Sequence, residues 1–374
     1  MTETLLHKAY RNKRVWISGH TGFKGSWLVQ WLLHLGAKIH GYSHVPPTAP
    51  ALFNQLDLAP RISHEIGDVN DRAAVQRSID AARPDFVFHL AAQPLVRSSY
   101  DEPVQTYMTN VLGTIHVLEA LRSVAHPCAA IMVTTDKCYE NREWLYGYRE
   151  EDPLGGHDPY SSSKAAAEIA IASWRRSFFQ NHVVRIASAR AGNVIGGGDW
   201  ARDRIVPDCI RALQKGEPFA VRNKTATRPW QHVLEPLSGY LWLGAVLAEP
   251  SLRPFAPAHY TSAFNFGPHL EANRTVAELA QEILKHWPGE WRDASDPNAV
   301  HEANFLNLAT DKAHHLLAWA PAWNFETALA RAVDWYRTSH EKATPSAIND
   351  LTTRQIRDYE SAARAKNIFW SLES

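Results

Sequence analysis

Two side chains in the segment DPYSSSKAAAE, which begins at Asp158, have the types and spacing needed to remove a proton from a hydroxyl group. Tyr160 and Lys164 are four residues apart, so on a helix they lie on one face, one turn from each other. A neighbouring ammonium favours the phenolate form of tyrosine, which lowers its pKa and makes it usable as a base near neutral pH. The same spacing is also common on solvated helix faces, so the pair alone does not decide the function.

Two further ionisable side chains, Asp136 and Lys137, occur upstream in the run TTDKCYEN from Thr134 to Asn141. Oxidation and reduction at one carbon need no such additional groups, whereas elimination of water needs both an acid and a base. A lysine base must be neutral, which requires burial or a nearby cation such as Lys164. The alternative interpretation of Asp136 and Lys137 is an ion pair at the surface end of a strand.

A glycine-spaced loop lies near the start of the chain, in WISGHTGFKGSWL from Trp16. Gly19, Gly22 and Gly25 follow an apolar run and precede a helical pattern. One glycine permits the tight turn, another lets a pyrophosphate approach the backbone, and the third lets helix and strand pack closely. The start of the helix then favours the phosphates. An ordinary glycine turn is the alternative.

The elements that must position these groups alternate between short apolar runs and helical patterns. This alternation predicts an α/β fold in which helices cover both faces of a parallel sheet. After about Gly192 prolines and tryptophans become frequent, which predicts a smaller, mixed C-terminal domain over the carboxyl edge of the sheet, where such sheets bind ligands. The predicted strands and helices are strands over 14–18, 37–43, 85–92, 129–136 and 183–196, and helices over 26–36, 109–124, 275–287 and 352–366.

Composition excludes several classes of protein. The chain has 374 residues, of which 45% are hydrophobic, so it forms one large domain or two joined ones. Its 39 basic and 39 acidic residues balance, which argues against a protein that works on nucleic acid or an anionic membrane. Cys128, Cys138 and Cys209 form neither a metal-type pair nor a disulfide framework. No signal segment or bilayer-length apolar stretch is present, so we predict a cytoplasmic protein without a metal.

The three motifs together resemble the extended short-chain dehydrogenase/reductase family, the NAD-dependent sugar-nucleotide epimerases and dehydratases. The resemblance rests on Thr21-Gly22-Phe23-Lys24-Gly25-Ser26, on Tyr160 with Lys164, and on Thr135 as the third catalytic member, and it covers about 13–335. It implies a Rossmann-type, doubly wound parallel sheet in 1–190, with returning segments roughly at 228–265, and mainly sugar-nucleotide binding in 191–374. Tyr160 then removes the proton of a substrate hydroxyl while hydride passes to the nicotinamide, and Lys164 contacts the nicotinamide ribose.

The resemblance also implies which residues bind the cofactor. NAD enzymes usually place an acid after the second strand, but this chain has Ser43 and His44 there. No arginine follows to bind a 2′-phosphate, and Lys24 is the one basic residue of the loop that is able to do so, so we predict NAD rather than NADP. The implied cofactor-binding residues are Gly19, Thr21, Gly22, Phe23, Lys24, Gly25, Asp68, Val69, Leu90, Ala91, Ala92, Gln93, Asn110, Thr134, Tyr160 and Lys164.

The segment between the two motifs narrows the resemblance to 4,6-dehydratases. In dTDP-glucose 4,6-dehydratases the corresponding run is Thr-Asp-Glu, whereas Thr135-Asp136-Lys137 stands here and resembles the CDP-glucose 4,6-dehydratases. By this resemblance Asp136 protonates the departing C6 hydroxyl, Lys137 occupies the position of the C5 base, and the substrate is CDP-glucose. A sugar-nucleotide epimerase, a dehydratase for another nucleotide sugar and a non-catalytic dinucleotide sensor are the alternatives.

The second half of the chain supplies the implied substrate contacts. Asn193 lies in a segment that resembles the family's diphosphate-binding run, and Arg228 lies in one that resembles its R-x-W-x-x-V motif. An arginine fork suits a diphosphate, although surface salt bridges are the alternative for Arg204 and Arg228. The resemblance also implies a homo-oligomer, a dimer or a tetramer, paired through the helix over 109–124 and the Tyr160 helix. The full set of predicted substrate-binding residues is Gln93, Asn193, Arg204, Arg222 and Arg228.

Overall fold

The computed structural model of the chain describes residues 3–295, 305–341 and 344–373. Its strands are β1 (Arg14–Ser18), β2 (Lys38–Ser43), β3 (Ser63–Ile66), β4 (Phe86–His89), β5 (Cys128–Val133), β6 (Val184–Ala191), β7 (Val194–Ile195), β8 (Phe219–Val221), β9 (Thr227–Pro229), β10 (Gln231–His232), β11 (Ala263–Phe266), β12 (Asn273–Thr275) and β13 (Trp291–Asp293). Its α-helices are α1 (Leu5–Tyr10), α2 (Phe23–His34), α3 (Leu52–Gln55), α4 (Arg72–Ala82), α5 (Val96–Asp101), α6 (Pro103–Tyr107), α7 (Gly113–Leu121), α8 (Pro159–Phe178), α9 (Ile205–Gln214), α10 (Leu234–Ala248), α11 (Val276–His286), α12 (Asp311–Leu317), α13 (Phe325–Glu341) and α14 (Pro345–Ala365).

A seven-stranded sheet, with all neighbouring strands parallel, organises the molecule in the order β11-β6-β5-β4-β1-β2-β3. This order confirms the predicted Rossmann-type fold. The chain leaves β1 toward β2 and β3 on one side and continues with β4, β5 and β6 on the other. The carboxyl ends of β1 and β4 therefore flank the switch point at which such sheets bind ligands.

The alternation of side chains along β1 shows why both faces of the sheet are covered. Trp16 points to one face, where it packs with buried residues of α4, α7 and α8. Val15 and Ile17 point to the other face and join the larger core built with α2, α10 and α14. Strands that are apolar on both sides have no solvated face, so they require helices on each side.

The C-terminal helix departs from its prediction. The sequence predicts a charged helix with little function over 352–366, whereas α14 begins at Pro345 and buries one side that is mostly uncharged but includes Glu360. Its buried side packs on α2 and α13, and Tyr359 donates a hydrogen bond to Glu235 of α10 at 2.6 Å. The helix is therefore part of the core that supports the glycine loop.

The predicted helix over 109–124 is interrupted. α6 is followed by one π-helical turn, Met108–Leu112, before α7 begins at Gly113. Such turns often occur at functional positions because they re-aim a side chain. Here the turn carries the fully buried Asn110.

The described residues lack two kinds of feature. None of their helices has the length and apolar character that a bilayer crossing requires. In the same ranges no three His, Cys, Asp or Glu side chains come together as a group able to hold a metal ion.

Candidate active site

A cleft of about 1750 Å³ opens at the carboxyl ends of the sheet strands. Its walls come from the glycine loop, the ends of β2, β4 and β5, the start of α8, and the segment between β6 and β9. The sequence-predicted site residues line this cleft, with the exceptions of Gln93 and Asn110. The fold thus gathers side chains that are more than 200 positions apart in the chain.

The glycine loop has the geometry that a pyrophosphate requires. Gly19 has a left-handed φ of +75°, and a Cβ there would lie 2.7 Å from the backbone nitrogen of Ala91, so only glycine fits. Gly22 is the N-cap residue of α2 and provides no side-chain hydrogen bond to the first turn of that helix. The N-terminal amides of a twelve-residue helix therefore face the cleft, which suits a dinucleotide.

Residues at the ends of β2 and β3 lie beside the glycine loop. Thr21 Oγ1 lies 2.8 Å from Ser43 Oγ and donates a hydrogen bond to the carbonyl oxygen of His44 at 3.0 Å. His44 Nε2 in turn lies 3.4 Å from Asp68 Oδ2. Asp68 thus places a carboxylate beside His44, which stands where NAD enzymes carry their ribose-binding acid.

Lys24 points toward α10 and lies near the charges of Asp136, Arg204 and Lys164. Its ammonium lies 3.4 Å from the hydroxyl of Tyr240 on α10, and no carboxylate of the described residues is within ion-pair distance of it. Burial, opposed by the charge of Asp136 and reinforced by Arg204 and Lys164, lowers the pKa of Lys24 to about 8. The loop therefore holds no cation for a 2′-phosphate.

Tyr160 and Lys164 lie in the first turns of α8, whose N-cap Asp158 accepts a hydrogen bond from the backbone amide of Ser161 at 2.9 Å. Burial lowers the pKa of Lys164 to about 8 and raises the pKa of Tyr160 to about 12. A hydrogen bond with Thr135 and the charge of Arg204 act in the opposite direction on the phenol. In this structure those two groups, rather than the expected Lys164, favour the phenolate.

Asp136 begins a short 3-10 turn directly after β5, where Thr135 Oγ1 donates a hydrogen bond to its Oδ1 at 3.0 Å. Burial raises the pKa of Asp136, against the opposing effects of Lys137, Thr135, Arg228 and Lys24. A buried carboxyl with a raised pKa retains a proton closer to neutral pH, as a general acid must. A Cβ on Gly192 would lie 2.6 Å from Asp136 Oδ2, so the missing side chain leaves room for the carboxyl.

Lys137 follows Asp136 and lines the same cleft, with its side chain partly exposed. Its backbone amide donates a hydrogen bond to Thr135 Oγ1 at 3.4 Å, which orients the turn. Among the ion pairs of the described residues there is none between Asp136 and Lys137. The surface ion pair, which was the alternative interpretation of these two residues, therefore does not form. The role of Lys137 as a base stays a prediction.

The sequence interpretation missed a buried network beneath the catalytic groups. Thr134 Oγ1 donates to Glu168 Oε1 at 2.5 Å, and Glu168 Oε2 accepts from Ser188 and Arg190 at 2.8 Å each. Glu168 lies one helical turn after Lys164, so it joins the Tyr160 helix to the segment that carries Asp136. The signal in the sequence was the four-residue spacing between Lys164 and Glu168. It predicts only that Glu168 lies on the same face of α8 as Lys164.

Asn110 and Gln93 lie behind the wall of the cleft. Asn110 Oδ1 accepts from the backbone amide of Gln93 at 2.9 Å, and its Nδ2 donates to Ser163 Oγ at 2.9 Å. The side-chain amide of Gln93 donates hydrogen bonds to the carbonyl oxygen of Leu95 at 3.1 Å and to Thr106 Oγ1 at 2.9 Å. Because these groups are satisfied internally, both residues fix the loop after β4, and their predicted roles in cofactor and substrate binding stay predictions.

Arginines of the second half surround the outer part of the cleft. Arg204 Nη1 forms an ion pair with Asp199 at 2.8 Å, and Arg222 Nη1 forms one with Asp203 at 2.6 Å. Arg228 donates to the carbonyl oxygen of Thr227 at 2.9 Å and acts electrostatically on Asp136. Arg204 therefore does form a salt bridge, which was the alternative to substrate binding, but it also lines the cleft.

Comparison with known families gives one match that extends over most of the chain. Residues 16–332 match the model of the family described as GDP-mannose 4,6 dehydratase. The CDP-glucose 4,6-dehydratase of Salmonella typhimurium is 43% identical in an alignment of 359 residues that covers 94% of this chain and 98% of that protein. The dTDP-glucose 4,6-dehydratase of Neisseria gonorrhoeae is 26% identical, over 87% of this chain and 95% of its own.

Solved structures share the fold at lower identity. DesIV, a dTDP-glucose 4,6-dehydratase from Streptomyces venezuelae solved with NAD and TYD bound, has a TM-score of 0.73 and 23% identity, over 87% of this chain and 97% of its own. The dTDP-glucose 4,6-dehydratase of Bacillus anthracis in complex with NAD has a TM-score of 0.72 and 20% identity, over 88% and 97% of the two chains.

Proposed function

The chain belongs to the GDP-mannose 4,6 dehydratase family, and we propose that its own reaction is the conversion of CDP-glucose to CDP-4-dehydro-6-deoxyglucose and water. The observation that carries this proposal is the position of Asp136. A buried carboxyl with a raised pKa accepts a hydrogen bond from Thr135 at 3.0 Å, and Thr135 in turn acts to lower the pKa of the Tyr160 phenol. Loss of water requires an acid close to the tyrosine that removes the proton of the C4 hydroxyl.

The proposed reaction divides the proton transfers among three side chains. Tyr160 takes the proton of the C4 hydroxyl. Bound NAD would supply the acceptor for the hydride of C4 and the donor of the same hydride to C6. The C4 ketone makes the C5 hydrogen acidic, Lys137 removes that proton, and Asp136 protonates the C6 hydroxyl as it leaves. Lys137 then returns its proton to C5, so the product is oxidised at C4 and reduced at C6.

NAD fits the residues of the glycine loop. Gly19 and the start of α2 support binding of its pyrophosphate, and Asp68 with His44 supports binding of its adenosine ribose. Lys164, on the same face of α8 as Tyr160, would contact the nicotinamide ribose. Since Lys24 points away from this region, NAD is favoured over NADP.

The sugar diphosphate fits the opposite wall of the cleft. Asn193, Arg204 and Arg228 line this wall, and two guanidinium forks suit the paired charges of a diphosphate. Arg222 lies further out, near the mouth of the cleft. Each of these assignments is part of the proposal, and the contacts described above support it.

Two other functions fit less well. An epimerase oxidises and reduces one carbon, so it has no use for a buried acid at Asp136 or a base at Lys137. A non-catalytic dinucleotide sensor would not need Thr135, Tyr160 and Lys164 in one cleft. The base of the nucleotide is the remaining choice, and the 43% identical Salmonella typhimurium protein favours cytosine.

The proposal is tested by incubating the protein and NAD with CDP-glucose, dTDP-glucose, UDP-glucose and GDP-mannose in parallel. The alkali-induced absorbance of 4-keto-6-deoxy sugars reports dehydration, and chromatography of the nucleotide sugars reports epimerisation. We expect the keto product from CDP-glucose and much less from the others. A new hexose nucleotide without loss of water would instead establish an epimerase.

We also propose that the protein is a homodimer paired through α6, α7 and α8. Large apolar side chains on these helices and the π-helical turn are exposed, including Val104, Met108, Leu112 and Ile169. The helices that carry them contact one another, and apolar side chains exposed together on one side of a protein mark an interaction site. A second copy is the expected partner because two-fold pairing of identical surfaces is the commonest form of oligomer.

Replacing Ile169, the most exposed apolar residue of α8, by arginine is expected to shift the protein from dimer to monomer. The charge would have to be desolvated at the interface, whereas in the monomer it is solvated. Light scattering coupled to gel filtration measures the mass. Leu145→Arg, in an exposed loop away from these helices, is the matched control and should leave the mass unchanged. A monomeric wild type, or a dimeric Ile169→Arg variant, would contradict the pairing.

Two coarser features complete the proposal. The three cysteines are buried free thiols, which supports a reducing compartment, the cytoplasm. The return of α10 and β11 to the main sheet supports an NAD-binding domain of 1–190 with 228–265, and a sugar-nucleotide domain made mainly of 191–374.

A further inference from the structure

The catalytic side chains of the proposed reaction come from two different elements. Tyr160, which acts at C4, lies on α8, whereas Asp136 and Lys137, which act at C6 and C5, lie in the turn after β5. C4, C5 and C6 are consecutive atoms of one sugar, so the turn must keep a fixed position relative to the helix. A displacement of about 1 Å in an active site is enough to cost on the order of 10²-fold in rate.

Residues 134–139 form the catalytic segment, and the first of them is attached to α8 through its side chain. Thr134 Oγ1 donates a hydrogen bond to Glu168 Oε1 at 2.5 Å. The backbone amide of Thr134 donates to the carbonyl oxygen of Ala189 at 2.9 Å, which continues the pairing of β5 with β6. The main chain therefore fixes the start of the segment to the sheet, and the bond to Glu168 fixes it to the helix that carries Tyr160.

The last residue of the catalytic segment is attached to the ion-pair partner of Glu168. Tyr139 accepts a hydrogen bond from Arg190 Nη1 at 2.8 Å and donates one to Asn265 Oδ1 at 2.7 Å. Arg190 Nη2 in turn donates to Glu168 Oε2 at 2.8 Å. Both ends of the segment are thus attached to one ion pair, which joins α8 to β6.

The four side chains of this arrangement, Thr134, Tyr139, Glu168 and Arg190, are at most 8% exposed. A buried ion pair is often no more stabilising than apolar residues of the same volume, because both charges lose their hydration. Stability alone therefore does not account for a pair at this position. Hydrogen bonds in a low-dielectric interior are strong, so they hold the groups that they join in one arrangement. Supporting contacts of this kind keep catalytic side chains within about 0.5 Å of their working geometry.

We propose that Glu168 and Arg190 form a clamp that holds both ends of the catalytic segment against the Tyr160 helix. The clamp rests on the proposed function and deepens it. Neither residue lines the cleft, so both are positioning residues that act through Thr134 and Tyr139. Release of one end should let the segment move. It should therefore slow the elimination of water, which depends on that segment, more than the oxidation at C4, which depends on α8.

The test releases each end of the segment by a substitution that keeps the shape of the side chain. Thr134→Val removes the hydroxyl that bonds Glu168, and Tyr139→Phe removes the one that bonds Arg190 but keeps the ring that stacks on Tyr148. Reactions with CDP-glucose at saturating NAD are quenched with borohydride, and mass spectrometry separates reduced sugars that retain the C6 hydroxyl from those that have lost it. In each variant we expect elimination to slow on the order of 10-fold relative to oxidation. The KM for CDP-glucose should stay close to that of the wild type.

Two control variants lose a buried hydrogen bond of similar length without releasing the segment. Ser188→Ala removes the 2.8 Å bond to Glu168 Oε2, and Tyr10→Phe removes the 2.7 Å bond to the carbonyl oxygen of Leu241, away from the cleft. Both should lower the midpoint of urea unfolding as the test variants do, and both should keep the wild-type ratio of elimination to oxidation. Thr134→Ser, which restores the hydroxyl, should recover the ratio that Thr134→Val loses.

The outcomes separate the clamp from a purely structural role of the same bonds. The clamp is overturned if Thr134→Val and Tyr139→Phe slow oxidation and elimination equally. It is also overturned if Ser188→Ala or Tyr10→Phe lowers the ratio as much as they do, because loss of stability would then be the cause. A wild type that forms no keto-deoxy product contradicts the proposed function instead.

Discussion

Asp136→Asn is expected to abolish dehydration of CDP-glucose while C4 oxidation continues. The amide retains the shape of the carboxyl but cannot give a proton to the C6 hydroxyl, so elimination should fall on the order of 10²–10⁴-fold. Tyr160 and Lys164 are unchanged and still remove the proton of the C4 hydroxyl. Borohydride trapping should therefore yield hexose nucleotides that retain the C6 hydroxyl, with glucose and its C4 epimer both present.

The control for this variant is Asp80→Asn, on the exposed surface of α4 and outside the cleft. It loses the same charge and should form the keto-deoxy product at the wild-type rate. Dehydration by Asp136→Asn at a normal rate would show that another group protonates the C6 hydroxyl, and it would remove the observation on which the proposed function depends.

Arg190→Met is expected to have the largest effect on stability. Arg190 and Glu168 form an ion pair at 2.8 Å with both side chains at most 4% exposed. Burial alone would raise the pKa of Glu168, but Arg190 and hydrogen bonds from Thr134 and Ser188 hold it below its usual range. Removing the guanidinium leaves an uncompensated buried carboxylate, which costs about 3–5 kcal/mol of unfolding free energy.

The pH dependence of this loss identifies its cause. In the wild type the contribution of the pair is present above the unfolded pKa of Glu168 and is lost as the pH falls through its lower folded pKa. Arg190→Met lacks this contribution, so the stability difference between the two proteins should shrink in acid. Urea unfolding at neutral and acidic pH measures it. Arg11→Met, which removes an exposed pair with Glu3, should change stability by at most about 1 kcal/mol. A loss of that small size for Arg190→Met would refute the argument.

The sheet was largely predictable because its central strands are apolar on both sides. The predicted strand over 14–18 is identical in extent to β1, the strand over 37–43 contains β2, and the strand over 129–136 covers all of β5 except Cys128. β3 was missed because its sequence, SHEI, lies at the edge of the sheet and is largely polar. β11 was missed because it lies in the proline-rich half, far from its partner β6.

The candidate site was predictable only in part. The motifs predicted that Tyr160, Lys164 and Asp136 share one cleft, and they do. Asp136 directly follows β5, and the other two lie in the first turns of α8, at the carboxyl edge of the sheet. The direction of Lys24 depends on Tyr240, which is 216 residues away and has no motif. The network around Glu168 likewise depends on strand pairing, which brings β6 beside β5 beneath α8 and cannot be inferred from local spacing.

The central claim is that the oxidation at C4 is temporary and serves to release water. It is tested most directly with CDP-glucose that carries deuterium at C4, mixed with CDP-glucose that carries carbon-13 throughout the hexose. The account predicts that deuterium appears on the C6 methyl group of the keto product and that no product molecule carries both labels. Deuterium that stays at C4, is lost from the sugar, or appears in the carbon-13 product would contradict it.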